Sequence, residues 1–468
     1  MQRRFLMSCF LVIVLTACGA AIPTTTPTVV PTTAPIIAPT TIPTQSAAAP
    51  TSTAAAARTG DHLFVRAGYG APDGRLSVID AASGANLRDL PLGVATTDWS
   101  MLYVTERGIE RTTVRAFNPQ TGQALRETEI AGRFTLPEEG IAGTPRGLSP
   151  NGRWLALGSY PAYAVNAANT IDTQSHLAVI DTAFAQPPKY VNLDGNFSFD
   201  ALSNDGISLY LIETLPRDST ATPGLGYKVR VYDLATGVLQ PGVVVDKTAI
   251  AQTMSGIQQS SVMSPDGQWV YSLYLNQAKG PFIHALNLDG RYAFCIFLPT
   301  TGKEDGEKQI HWSLAQTPDG RGLYAVNSAL GIVADVDTAQ LTVRRTAALP
   351  MMAASQPSSV ARVEDWARPS ASATEILTGS AAFSPDGQTL FVTAAHGLFV
   401  VNIRDLTVRE RLLSDLSLDS VMMSLDGARL YAVSADAGKL LRLDPVTGAM
   451  VNAFTIANHQ PWIILGVQ

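Results

Sequence analysis

From about residue 61 onward the chain is a succession of short apolar runs separated by polar turns. Six runs stand out, at residues 154–157, 208–212, 269–273, 323–326, 390–393 and 430–433. Each follows a related turn string: SPNG at 149–152, SNDG at 203–206, SPDG at 264–267, TPDG at 317–320, SPDG at 384–387 and SLDG at 424–427. Leu, Tyr, Phe and Val in such runs suit half-buried strands. In the turns, Gly supplies a positive φ, Asp or Asn bonds nearby backbone, and Pro presets φ. A second mark ends a further strand in each unit: Asp80, Asn118, Asp181, Asp233, Asn287, Asp337, Asn402 and Asp444. Several of these continue into an Ala/Thr-Gly turn, as in DAASG, NPQTG, DLATG and DPVTG. Eight marks over about 408 residues give a period of about 51. Repetition at one topological position makes these residues Asx-turn formers rather than eight active sites.

Each unit reads as four strands, a to d. Strand a precedes the SPDG-like turn, b follows it, c ends at the Asp or Asn, and d closes the unit. This predicts an all-β fold, a β-propeller of four-stranded antiparallel blades. The count is eight blades, or seven if one early unit is not a full blade. The first unit contains b, c and d (LFVRA, RLSVID, NLRDL) but no strand a, whereas HQPWIILGV at 459–467 has no blade of its own. The C-terminal strand is therefore expected to complete blade 1 and close the ring. Blade 2 carries a degenerate turn, TTDWS at 96–100.

SPDGQTLFVTAAHGLFVVN at 384–402 and TPDGRGLYAVNSALGIVADVDT at 317–338 resemble the YVTN and WD-repeat-like propellers of bacterial secreted proteins. The resemblance spans residues 61–468 and implies the fold. It does not imply one activity, because such propellers host many. Some are lactonases or quinone-dependent dehydrogenases, but no individual residue here carries over from them.

Composition changes this picture modestly. Length alone, 468 residues, suggests about three domains, which the repeats replace with one ring. Charged residues make up 15%, below the ~25% usual for soluble domains. A net charge of -6 excludes broad phosphate neutralisation, hence nucleic acid as a partner. Three cysteines exclude a disulfide scaffold.

The N-terminus reads as an address. Arg3 and Arg4 precede an apolar run at 5–16, too short to span a bilayer comfortably but suited to a signal peptide. It ends in Leu15-Thr16-Ala17-Cys18, then Gly19, which resembles a bacterial lipobox. The resemblance implies cleavage after residue 17 and a lipid on Cys18; ordinary secretion is the alternative. The paired arginines hint at twin-arginine export, but the strongly apolar run favours the general secretory route. The division is a signal peptide at 1–17, a Thr/Pro/Ala-rich tether at 18–60 and the propeller at 61–468. Residues 19–57 carry no charge and cannot build a core. Extended, the tether reaches ~120 Å. The expectation is an extracytoplasmic, lipid-anchored monomer whose remaining thiol, Cys295, is a small core residue.

Antiparallel blades put the a–b and c–d turns on one face and the b–c and d–a loops on the other. The long loops fall in the second set, at 159–175, 213–227, 246–260, 299–310 and 350–379. Any functional surface is expected there, around the channel. The candidates are His311, Trp312, His459, Trp462, Arg146, Asp365 and Trp366. Aromatic rings with a few polar groups suit a sugar, peptide or small ring ligand. Trp312 and Trp462 share a repeat offset near the start of strand a, which packing wedges also do. Arg146 is read as entering strand a of blade 3. No GxSxG, HExxH or P-loop occurs, and the six histidines are scattered, so no catalytic residue, metal or cofactor is assigned. The leading function is a binding or protein-interaction module for a protein, peptide or envelope glycan. The alternative is a hydrolase, lactonase, or metal- or quinone-assisted enzyme with its site at the channel mouth.

Overall fold

The computed structural model describes residues 60–67, 74–139, 143–159, 174–215, 226–244, 254–276, 280–300, 307–349, 380–394, 396–455 and 461–468. Residues 1–57 and 58–468 form separate units, and every described residue belongs to the second. The proposed signal, Cys18 and nearly all of the tether lie outside the described residues.

Eight sheets, each built on four antiparallel strands, follow one another as the blades of a propeller. Six blades use consecutive strands, and blade 3 does so apart from a hairpin inserted after its first strand. Blade 1 orders Asn86–Pro91, Arg75–Asp80, His62–Ala67 and then the C-terminal Pro461–Val467. The C-terminal strand thus supplies strand a of blade 1, as the sequence predicts. Backbone pairing of His62 with Gln468 extends this closure, at 2.7 and 3.0 Å. Beside it, the Tyr431 hydroxyl of blade 8 donates to Asp61 at 2.7 Å, and Arg429 pairs with the same carboxylate.

The turn strings perform two tasks. In SPDG at 384–387, Ser384 Oγ donates to Asp386 Oδ1 at 2.6 Å and accepts from Thr389 N at 2.9 Å. Gln388 N donates to the same carboxylate. The Ser384 hydroxyl first, then this backbone N–H, hold the Asp386 carboxyl below its usual range. The second task is contact between blades. A Cβ on Gly320 would lie 2.0 Å from Pro265 of the preceding blade's turn, and one on Gly427 2.6 Å from Pro385. From blade 5 to blade 8 the proline of each turn therefore meets the glycine of the next. The eight Asp and Asn marks accept backbone N–H groups two or three residues ahead, as Asx turns do.

In blade 2, Trp99 occupies the glycine position of the turn with φ +53°. Its ring stacks on Phe64 at 4.2 Å and lies where a Cβ on Gly466 would sit. One tryptophan thus fills the seam beside the closing strand.

Eight buried apolar clusters hold the ring together, and each draws residues from two adjacent blades. Both faces of every blade are buried in this way, so few charged positions are needed.

Blade 3 departs from the pattern. Its inner strand is interrupted: Phe134–Thr135 pairs with residues 159 and 158, and Leu148 pairs with Leu155. The described residues between leave the sheet, and Glu138–Glu139 pair with Thr144–Pro145 as a small hairpin. Arg146 therefore belongs to this excursion rather than to strand a. Gly147 returns the chain with φ +123°, where a Cβ would meet the Ala156 carbonyl oxygen at 2.4 Å.

Candidate functional site

The hairpin crosses the centre of the ring. Arg66 of blade 1 donates to the Gly143 carbonyl at 3.0 Å. Gln258 of blade 5 donates to Glu139 Oε1 at 2.8 Å. Blades 1 and 5 are opposite in an eight-bladed ring, so the hairpin bridges the channel. Arg66 ends strand b and Gln258 begins strand a, which places these contacts in the half nearer the b–c and d–a connections.

Arg146 lies on the return arm. Its Nη1 pairs with Glu139 Oε1 at 3.3 Å, and its Nη2 donates to the Phe199 carbonyl of blade 4 at 2.6 Å. The guanidinium also sits over the Phe199 ring, 5.2 Å from its centre. The side chains of Arg146 and Glu139 are 14% and 11% exposed, so the pair is largely withdrawn from water. Removing either partner of such a pair strands a charge.

Asp200 follows Phe199 on the inner strand Asn196–Leu202 of blade 4. The strand register slips between Phe199 and Ala201, making Asp200 the extra residue of a β-bulge. A bulge re-aims its side chain, here into the interior. Asp200 is 3% exposed, and neither carboxylate oxygen has a hydrogen-bond partner among the described residues. Burial pushes its carboxyl up to about 6, with Arg146 opposing and Glu139 adding to the rise.

The wall behind Asp200 is the seam of blades 4 and 5. Tyr227 and Tyr274 stack there at 5.4 Å, both buried. Burial raises both phenols well above their ordinary value, and Asp200 adds to each. Their hydroxyls interact but reach full hydrogen-bond geometry with no described group. The inner strand of blade 5 has its own bulge, at Gln259. The Gln259 amide and the Ser260 hydroxyl are likewise without partners. The site is thus a channel-spanning ion pair beside a bare buried carboxylate, with two tyrosines interacting with that carboxylate and two further bare polar side chains next to Gln258. Among the described residues, no group of three His, Cys, Asp or Glu is placed to hold a metal ion.

Of the candidates read from sequence, the structure brings only Arg146 to this constellation. Trp312 is 1% exposed and packs in the seam of blades 5 and 6, its indole N–H donating to Gln309 at 2.9 Å. It is a wedge between blades and presents no face to a ligand. His311 ends the short helix Glu307–His311 beside it. Trp462 lies on the closing strand. Asp365, Trp366 and His459 lie outside the described residues. Cys295 is half-buried on an outer strand, opposite His284. Glu139, Asp200 and Gln258 escaped the sequence reading. The signal for them was the adjacent Glu138 and Glu139 close before Arg146, and an acid inside the apolar run FSFDAL.

A cavity of about 530 Å³ opens on the opposite face, where blade 1 has no turn of its own. Its lining includes Asp61, Asp98 and Asp426. Each of these is already held, by Arg429 and Tyr431, by Thr96 and Ser100, and by Ser424.

No family model matches the sequence, and no curated protein matches it either. Solved structures do resemble it. The dihydro-heme d1 dehydrogenase NirN in complex with DHE aligns over 87% of this chain and 74% of its own, with a TM-score of 0.50 and 13% identity. Apo AztD from Citrobacter koseri aligns over 88% and 98%, with a TM-score of 0.48 and 12% identity. The Pseudomonas aeruginosa periplasmic gluconolactonase PpgL aligns over 79% and 98%, with a TM-score of 0.40 and 17% identity. At these identities the likeness concerns the propeller fold alone.

Proposed function

We propose that this protein is an extracytoplasmic, lipid-anchored propeller that binds a small ligand in its channel without transforming it. The observation that carries this reading is the bare carboxylate of Asp200, buried beside the Arg146–Glu139 pair. Buried polar groups are ordinarily satisfied, so a bare set on a rigid scaffold marks a place for a guest. Arg146 and Glu139 are already tied to each other, to Phe199 and to Gln258, which suits holding rather than proton traffic. Anchoring rests on the lipobox-like LTAC at 15–18. Among the described residues no helix is long and apolar enough to cross a membrane.

The test is native capture. The full chain, purified from membranes in detergent, is incubated with the small-molecule fraction of a cell-envelope extract, desalted, and its retained compounds identified by mass spectrometry. A compound retained by the wild type and lost from Asp200→Asn supports the reading. Retention indifferent to Asp200→Asn and to Arg146→Gln refutes it. A second reading is favoured by the position of the Asp200 carboxyl near neutrality, which suits a general acid in a hydrolase. Stoichiometric conversion of the captured compound would establish that alternative. Replacing Cys18 by Ala should move the protein from the membrane fraction to the soluble one; continued anchoring would sink the lipid assignment.

A further inference from the structure

We propose that the channel site takes a neutral, polyhydroxylated ligand of the monosaccharide class, seated by a hydroxyl that bridges Arg146 and Asp200. This deepens the binding reading above and rests on it. The argument is one of complementarity. Among the described residues, Arg146 Nε is a buried donor without a partner, and the two Asp200 oxygens are buried acceptors without partners. They sense each other electrostatically, yet no direct bond joins them. A group that fits between them must accept from Nε and donate to a carboxylate from one atom. A hydroxyl does both.

Charged ligands fit less well. A carboxylate would satisfy Nε but face Asp200 and Glu139. An ammonium would satisfy Asp200 but meet Arg146 and leave Nε bare. The other bare polar groups point the same way. The phenols of Tyr227 and Tyr274, and next to Gln258 the Gln259 amide and the Ser260 hydroxyl, each donate and accept, and none completes a full hydrogen bond among the described residues. Such a set is satisfied by several hydroxyls on one frame and is left unpaired by a simple ion.

The test is equilibrium dialysis of the full chain in a detergent without a sugar headgroup. The probes are D-glucose, D-galactose, N-acetyl-D-glucosamine and myo-inositol, with D-glucuronate and D-glucosamine as charged counterparts. Saturable binding of at least one neutral probe is expected, with the charged counterparts weaker by about tenfold or more. Asp200→Asn should weaken it by about tenfold or more, since the variant loses a charged acceptor. Ser260→Ala, which leaves the ion pair intact, should weaken it several-fold while thermal unfolding stays within a degree or two. Preferred binding of glucuronate or glucosamine, still dependent on Asp200, overturns the neutral class and leaves the binding reading standing. No saturable binding of any neutral probe also overturns the class, with ordered water alone filling the site. If a native ligand is captured independently of both Asp200 and Arg146, the binding reading fails too.

Discussion

Asp200→Asn should make the ligand-free protein more stable at neutral pH, and the size of the effect follows from burial. The carboxyl has an ordinary value of 3.8 and is pushed up to about 6 in the folded chain. Well below pH 4 it is protonated in both states and burial costs little. As pH rises from about 4 to 6, the unfolded chain releases this proton and the folded chain still holds it. Stability therefore falls across that window, and the loss is complete above about pH 6. Two units at ~1.4 kcal/mol each amount to about 3 kcal/mol. The asparagine amide is neutral but also lacks partners, which returns about 1–2 kcal/mol of the gain. The variant should then be more stable by about 1–2 kcal/mol at pH 7.5 and no more stable at pH 4. For a ring of about 400 residues this shifts the Tm by only about 1–2 °C. Urea midpoints of both proteins, dialysed free of ligand, at pH 4, 5, 6 and 7.5 resolve it better. Asp419, pushed up to about 6 by its own burial, tilts both profiles alike and cancels in the difference. Parallel pH profiles, or a variant less stable at pH 7.5, would show that the Asp200 carboxylate has a stabilising partner and refute the reasoning.

Three further outcomes follow from the packing. Gly320→Ala places a Cβ 2.0 Å from Pro265 at φ +68°, whereas Gly438→Ala is strained at φ +59° but meets nothing within 4 Å. Urea unfolding should show the first costing about 1–3 kcal/mol more than the second. Trp99→Gly restores the usual turn residue but removes the stack on Phe64, and should destabilise by about 2–4 kcal/mol; a gain in stability would show that backbone strain outweighs the seam. Deleting residues 461–468 removes the inner strand of blade 1, so loss of the cooperative melt by circular dichroism is expected. A truncated chain with an unchanged melt would contradict closure through that strand.

The ring was legible because its signals are local and repeated. Ser, Pro, Asp and Gly sit within four residues of one another, and each acts on its own backbone or on the same turn one blade away. The absence of strand a from the first unit, set against the unassigned strand at the C-terminus, was enough to place the closure. Trp99 was harder to read. Its turn keeps Thr96 and Asp98, but the φ > 0 residue is a tryptophan, which local rules disfavour. Burial against Phe64 overrides them. The site was mostly illegible because it is built by breaks in pattern. Asp200 lies in a run whose alternation predicts a simple strand, and only the bulge turns it inward. Glu139 and Gln258 meet across 119 positions of sequence, a contact no motif encodes. Arg146 reads from its neighbours as entering strand a of blade 3, and no local motif marks that its segment leaves the blade.

That departure can be tested through its register. In strand b of blade 3, Gly158 pairs with Thr135 and Leu155 with Leu148. Two positions of strand b separate those pairs, so a regular inner strand needs two residues between Thr135 and Leu148. The chain has twelve there, 136–147, ten more than the ladder requires. Leu136 is buried in the seam of blades 2 and 3, and the Gly147 carbonyl already accepts from Ala156 N at 2.9 Å. Both are in ladder position at the two ends of the excursion. Deleting residues 137–146 and joining Leu136 to Gly147 should therefore restore a continuous strand. The melt should stay cooperative, because the seams around the ring do not depend on the hairpin. Ligand capture should vanish, because Glu139 and Arg146 are gone and Asp200 faces an open, watered channel. Loss of the cooperative melt would make the hairpin a structural tie across the ring, its polar groups a plug. Undiminished capture by a folded deletion variant would move the site away from the channel altogether.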